Sequence, residues 1–217
     1  MAFSTSASLF LLVSAISCLA LVSGDLRADL RDFVALVPRR RIGFIAARYY
    51  IFDPKFRQAV EFVRSDEFTT TWQQVRAAPD FADVVNYLTE NGSGYDITTL
   101  VDSLINRLRT YQLSRTVPVE LMLRRDLTTF LRDVLQSLPR TRIYSLMSQK
   151  MRQSAEFAKL YKAVRNKEFK ELVQRARRSR QLQAPIKKLA QKSINVDELI
   201  QVVFEIISWG PQITSTQ

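Results

Sequence analysis

Histidine is absent from the 217 residues. Its absence excludes a Ser-His-Asp triad, a Cys-His pair and any imidazole ligand for zinc or haem. Cysteine occurs once, at Cys18, so the chain has no internal disulfide and no thiolate metal cluster. Five glycines leave no glycine-rich phosphate loop, and neither G-x-x-x-x-G-K-[ST] nor G-x-G-x-x-G occurs. No metal site and no cofactor is expected. Apolar residues make up 47%, enough for a packed core and too many for general disorder. The composition points to binding rather than chemistry.

The first charged residue is Asp25. Before it, Leu9 to Val22 is mostly apolar, and Val22-Ser23-Gly24 offers small residues at the −3 and −1 positions of a cleavage site. Residues 1–24 therefore read as a secretory signal, too short for a comfortable membrane span. Cleavage after Gly24 would also remove Cys18, so the exported chain would have to hold itself together by core burial alone. At this size roughly 70% of the unfolded surface can be buried. Asn91-Gly92-Ser93 is a glycosylation sequon in a turn-forming context, with Asn91 as its acceptor.

The chain resembles itself. Val37-Pro38-Arg39-Arg40-Arg41-Ile42 reads against Leu138-Pro139-Arg140-Thr141-Arg142-Ile143 at an offset of 101. Phe56 to Phe68 lies over Phe157 to Phe169 at the same offset. Towards the ends the offset drifts to 99, with Ile97 to Val101 over Val196 to Ile200. Three ordered matches predict two repeats, over 25–114 and 115–211, with 212–217 as a tail.

Each repeat reads as about six short helices, and no run alternates long enough for a strand. Leu26, Leu30, Phe33, Val34 and Val37 share one helical face, and Pro38 ends that helix or opens the next. Ile42, Ile45, Tyr49 and Phe52 make a second stripe. Asp53-Pro54 is an N-cap followed by proline at the first helical position. Phe56, Val60 and Val63 form a third stripe. Ser65 caps a fourth helix with Asp66 and Glu67 in its first turn and Phe68, Trp72 and Val75 as its apolar face. Pro79-Asp80 opens a fifth, which Asn91-Gly92-Ser93-Gly94 stops, and Ile97 begins a sixth. In the second repeat Asn166 replaces Ser65 as a cap, and Asn195 with Glu198 resembles a capping box. The predicted fold class is all-α. Helices of this length are marginal alone and must lean on neighbours.

These residues resemble the insect-allergen-related repeat family, which includes the cockroach repeat allergen and mosquito microvillar gut proteins. The likeness runs from Asp29-Leu30-Arg31-Asp32-Phe33 through Val37-Pro38 and Asp53-Pro54 to Ser65-Asp66-Glu67-Phe68, and continues at Tyr87-Leu88 and from Asp96 to Ile105. The second repeat departs from it, with Ser154-Ala155 in place of Asp53-Pro54. The resemblance implies two helical repeats enclosing a hydrophobic cavity, fatty acids or phospholipids as partners, and secretion into the gut lumen or at its microvillar surface. It transfers no catalytic residues. Aromatic and aliphatic stripes at helical spacing serve equally as core. On the family's pattern the lining candidates are Ile45, Tyr49, Phe56, Val60, Phe81, Val85 and Leu104, and then Leu146, Leu160, Val164, Ile186, Leu189 and Val203.

Charge is unevenly divided. Residues 1–114 carry 12 basic and 12 acidic groups, while 115–217 carry 20 and 9, so the whole excess of +11 lies in the second half. Its densest part is Arg175, Arg177, Arg178 and Arg180, followed by Lys187 and Lys188. This cluster is either a solvated helix face or a patch that draws the protein to an anionic membrane surface. Nucleic acid is not expected as a partner of an exported chain with no recognisable binding motif. Three functions follow: a lipid carrier, a membrane- or glycan-surface interaction protein with a solid core, and a detoxification protein of the nitrile-specifier kind.

Overall fold

The computed structural model describes residues 24–110 and 127–213. The expected signal segment up to residue 23, Cys18, the junction between the expected repeats and the last four residues lie outside that range. The described residues form twelve α-helices and no strand, so the chain is all-α. The first six are α1 (Gly24–Leu36), α2 (Arg39–Phe52), α3 (Pro54–Arg64), α4 (Asp66–Arg76), α5 (Pro79–Asn91) and α6 (Ile97–Thr110). The second six are α7 (Leu127–Ser137), α8 (Arg140–Gln153), α9 (Ala155–Arg165), α10 (Lys167–Arg178), α11 (Arg180–Gln191) and α12 (Val196–Ser208). Helices α2, α3, α4 and α5 each begin 101 residues before α8, α9, α10 and α11, and α6 begins 99 before α12.

Short polar side chains set the boundaries. Asp53 Oδ1 accepts from the backbone N–H of Lys55 at 2.8 Å and of Phe56 at 3.0 Å, and Pro54 follows at the first helical position. Ser154, at the matching place, caps α9 through the Phe157 N–H at 3.1 Å, so loss of Asp-Pro there is tolerated. Ser65 caps α4 and Asn166 caps α10 in the same way. Asn195 accepts from the N–H of Asp197 and Glu198. Gly92 follows α5, and the turn then passes through positive φ at Ser93 and Gly94. α11 continues through a buried Pro185, which lacks the N–H that its turn would otherwise bond.

The two sets of six interlock. α1 packs on α8 and α9, while α7 packs on α2 and α3; α5 lies on α10, and α4 on α11. Each pairing recurs when every helix is exchanged for the one six places away. The core runs through both sets. Phe56 and Phe130 have ring centroids 4.8 Å apart, and Tyr49 meets both edge-on. Phe33, Phe157 and Tyr161 stack in series in the same core. α4 departs from its sequence pattern: Thr71 is its fully buried residue, with its hydroxyl turned back to the Glu67 carbonyl, while Phe68, Trp72 and Val75 are half-buried.

Candidate functional site

The thirteen lining candidates do not share one environment. Tyr49, Phe56, Val60 and Leu160 are buried among core neighbours. Ile45, Phe81, Leu146, Val164, Ile186 and Leu189 are half-buried against that core, and Val85 is half-buried as well. Leu104 belongs to α6, but its side chain lies outside the described set.

Val203 stands apart. α12 has the sequence VDELIQVVFEIIS, and no residue in it is fully buried. At about 100° per residue, Leu199, Ile200, Val202, Val203, Phe204, Ile206 and Ile207 span an apolar arc of about 200°. Leu199, Val202, Phe204, Ile206 and Ile207 pack against the core at its shoulders. Val203 lies near the middle of that arc, yet 53% of its surface is accessible. Among the described helices α12 is the most apolar, and the centre of its apolar face is left exposed. A solvated helix normally turns its polar side outward and its apolar centre inward.

A pair of partly buried polar links ties the halves together. The Tyr49 hydroxyl on α2 donates to Asp133 Oδ2 on α7 at 2.7 Å. At the matching place Lys150 on α8 bridges Asp29 at 2.8 Å and Asp32 at 2.5 Å on α1. Residues 49 and 150, 32 and 133, and 29 and 130 are each 101 apart. One design is thus built twice with different chemistry: Tyr49 with Phe130 and Asp133, or Lys150 with Asp29 and Asp32. Asp29 hydrogen-bonding holds the Lys150 ammonium above the ordinary lysine range, Asp32 adds to the effect, and burial works against it. Neither link was recognised from the sequence, although a column-by-column reading at the 101 offset aligns all six positions.

The structure divides the expected basic cluster. Arg177 forms a two-point pair with Asp197, its Nε 2.6 Å from Oδ1 and its Nη2 3.0 Å from Oδ2. Lys188 and Lys192 converge on Glu67 at 3.2 and 3.3 Å, joining α11 to α4. The Glu67 carboxyl is held low first by Lys188, with burial opposing and Lys192 assisting. Arg175 lies 3.8 Å from Asp83. Arg178, Arg180 and Lys187 are exposed. Arg175 and Arg178 line an open surface cleft of about 600 Å³ with Lys167, Lys170, Asp80 and Glu171, so acids are mixed into the basic face. Asn91 is exposed, and the Ser93 hydroxyl of its sequon donates to the Glu156 carbonyl at 3.0 Å.

Among the described residues no group of three metal-ligating side chains converges, and no helix is long and apolar enough to cross a membrane. The arrangement offers apolar surface and charged faces.

Among the described residues the chain is all-helical, with helix starts that recur at offsets of 101 and 99 residues. Residues 25–200 match the family described as insect allergen related repeat, nitrile-specifier detoxification. The chain belongs to that family. It is similar to Protein G12 of Anopheles gambiae, with 27% identity over 199 residues that cover 91% of this chain and 93% of the mosquito protein.

Proposed function

We propose that this protein is an exported, non-enzymatic carrier that holds the hydrocarbon part of a fatty acid or phospholipid against the apolar face of α12 and the half-buried side chains around it. On this reading the chain is a doubled six-helix unit, delivered to the gut lumen or microvillar surface by the segment ahead of Asp25. The carrying observation is Val203, open at the centre of an apolar arc whose shoulders are packed. Exposed apolar surface of that kind has a thermodynamic reason to take a guest. Each methylene transferred from water contributes about 0.8 kcal/mol, so a sixteen-carbon chain supplies roughly 10 kcal/mol before ordering costs. Affinity then needs no polar site, and discrimination among head groups is weak.

Solvent extraction and mass spectrometry of gently purified protein test the reading. Co-purifying acyl lipid, together with saturable binding of a fluorescent fatty acid, supports it. Delipidated protein that takes up no fluorescent fatty acid defeats it.

A further inference from the structure

We propose that the outer face of α2 is a docking surface for anionic phospholipid membranes, with Phe44 as its apolar anchor. α2 reads RRRIGFIAARYYIF and contains four arginines and no acid. Its inward side carries Ile42, Gly43, Ala46 and Tyr49, all buried. On the opposite side Arg40, Arg41, Phe44 and Arg48 fall within about 100° of one another. Phe44 is 63% exposed, the most open of the large apolar side chains among the described residues. None of Arg39, Arg40, Arg41 and Arg48 takes part in an ion pair among the described residues.

Two features make this face costly to the fold. Three arginines occupy the first turn of α2, where the helix dipole disfavours cations, and no side chain caps that end. An exposed phenylalanine likewise gains nothing in the free protein. A surface of lipid phosphates answers both: it neutralises the arginines, and the ring enters the interfacial layer beneath them. The basic face of α10 fits less well, because Asp80 and Glu171 are interleaved with its cations and Lys167 is already paired with Glu171. The half-by-half charge count concealed α2, whose four positive charges are balanced by acids elsewhere in the first half.

The inference does not rest on the interior carrying a lipid. Vesicle co-sedimentation reads the surface, and lipid extraction reads the interior. The whole protein is mixed at low salt with phosphatidylcholine vesicles, with or without phosphatidylserine. It is expected to bind only those with phosphatidylserine and to be released by salt. Arg40→Gln with Arg41→Gln loses about thirty-fold in partitioning, taking each basic residue at its usual contribution near an anionic surface. Phe44→Ser weakens binding, and Phe44→Trp gives a blue-shifted emission on anionic vesicles. Arg178→Gln with Arg180→Gln leaves binding unchanged. Thermal midpoints of the α2 variants stay at or above that of the parent, since the replaced side chains oppose the helix dipole or face solvent. Equal binding to neutral vesicles overturns the proposal. So does undiminished binding of the Arg40/Arg41 variant, or retention on an acidic glycan without binding to vesicles.

Discussion

Lys150→Met removes the ammonium that spans Asp29 and Asp32 while keeping most of the length and volume of the side chain. The consequence turns on burial. The Lys150 side chain is 14% exposed and that of Asp29 9%, whereas Asp32 is 54% exposed and stays solvated. Asp29 Oδ2 already lacks a hydrogen-bond partner, so after the substitution its carboxylate is left buried with little to answer it. Removing one member of a buried pair costs about 3–5 kcal/mol. In a chain of this size that lowers the thermal midpoint by roughly 10 °C. The matching site supplies the repair. Asp29→Phe with Lys150→Tyr copies Phe130 and Tyr49, and Asp32 then accepts the tyrosine hydroxyl as Asp133 does. The double variant is expected to recover more than half of the loss. Urea and thermal unfolding of the parent, the single variants and the double variant measure the coupling directly. A loss below about 1 kcal/mol for Lys150→Met, or a double variant no more stable than Lys150→Met alone, refutes the reasoning.

The same lysine sets an alkaline limit. Its folded value is raised, so the stabilisation is complete below the ordinary lysine value of 10.5 and is lost only as pH climbs through the raised one, which unfolding followed from neutral to strongly alkaline pH will locate. Asp96 behaves oppositely: burial pushes its carboxyl up, but hydrogen bonds from Thr98 and Thr99 outweigh that and hold it low. Its contribution is present above the ordinary aspartate value and disappears as pH falls through the lowered one, and Asp96→Ala should flatten that acid limb of the stability profile. Gly210→Ala places a methyl against the Tyr161 hydroxyl and Met147 Sδ, in the clamp where Tyr161 donates to the Pro211 carbonyl at 3.0 Å; calorimetry should register a loss of about 1–3 kcal/mol. Val203→Trp fills the open centre of the α12 face, so fluorescent fatty acid uptake should fall at least several-fold while the melting temperature is held; unchanged uptake would remove Val203 from the binding surface.

Much of the fold is decided within a few residues along the chain, and there the sequence suffices. Asp53, Ser65, Asn166 and Asn195 satisfy N–H groups two or three positions ahead, so their chemistry names the helix starts without knowledge of any partner. The apolar stripes of α1 and α3 likewise turn to the core, with Leu26, Phe33, Val34, Phe56 and Val60 buried and Leu30 and Val63 half-buried against them, because periodicity alone assigns their inward sides. Contacts between helices distant in sequence are a different matter. Periodicity names the side of a helix that turns inward but not what meets it there. That is why Thr71 rather than Trp72 is deepest on α4, and why Arg177 and Lys188 of a seemingly free basic cluster are paired with Asp197 and Glu67. It is also why Val203 was expected only as one lining residue among many. The amino-acid order determined the helices, their caps and their doubled spacing through hydrogen bonds and side-chain periods that act locally. Only the packing of helix on helix decided which charges are neutralised and which faces stay open, because those outcomes depend on neighbours on other helices, from Asp197 for Arg177, 20 residues along the chain, to Glu67 for Lys188 in the other set.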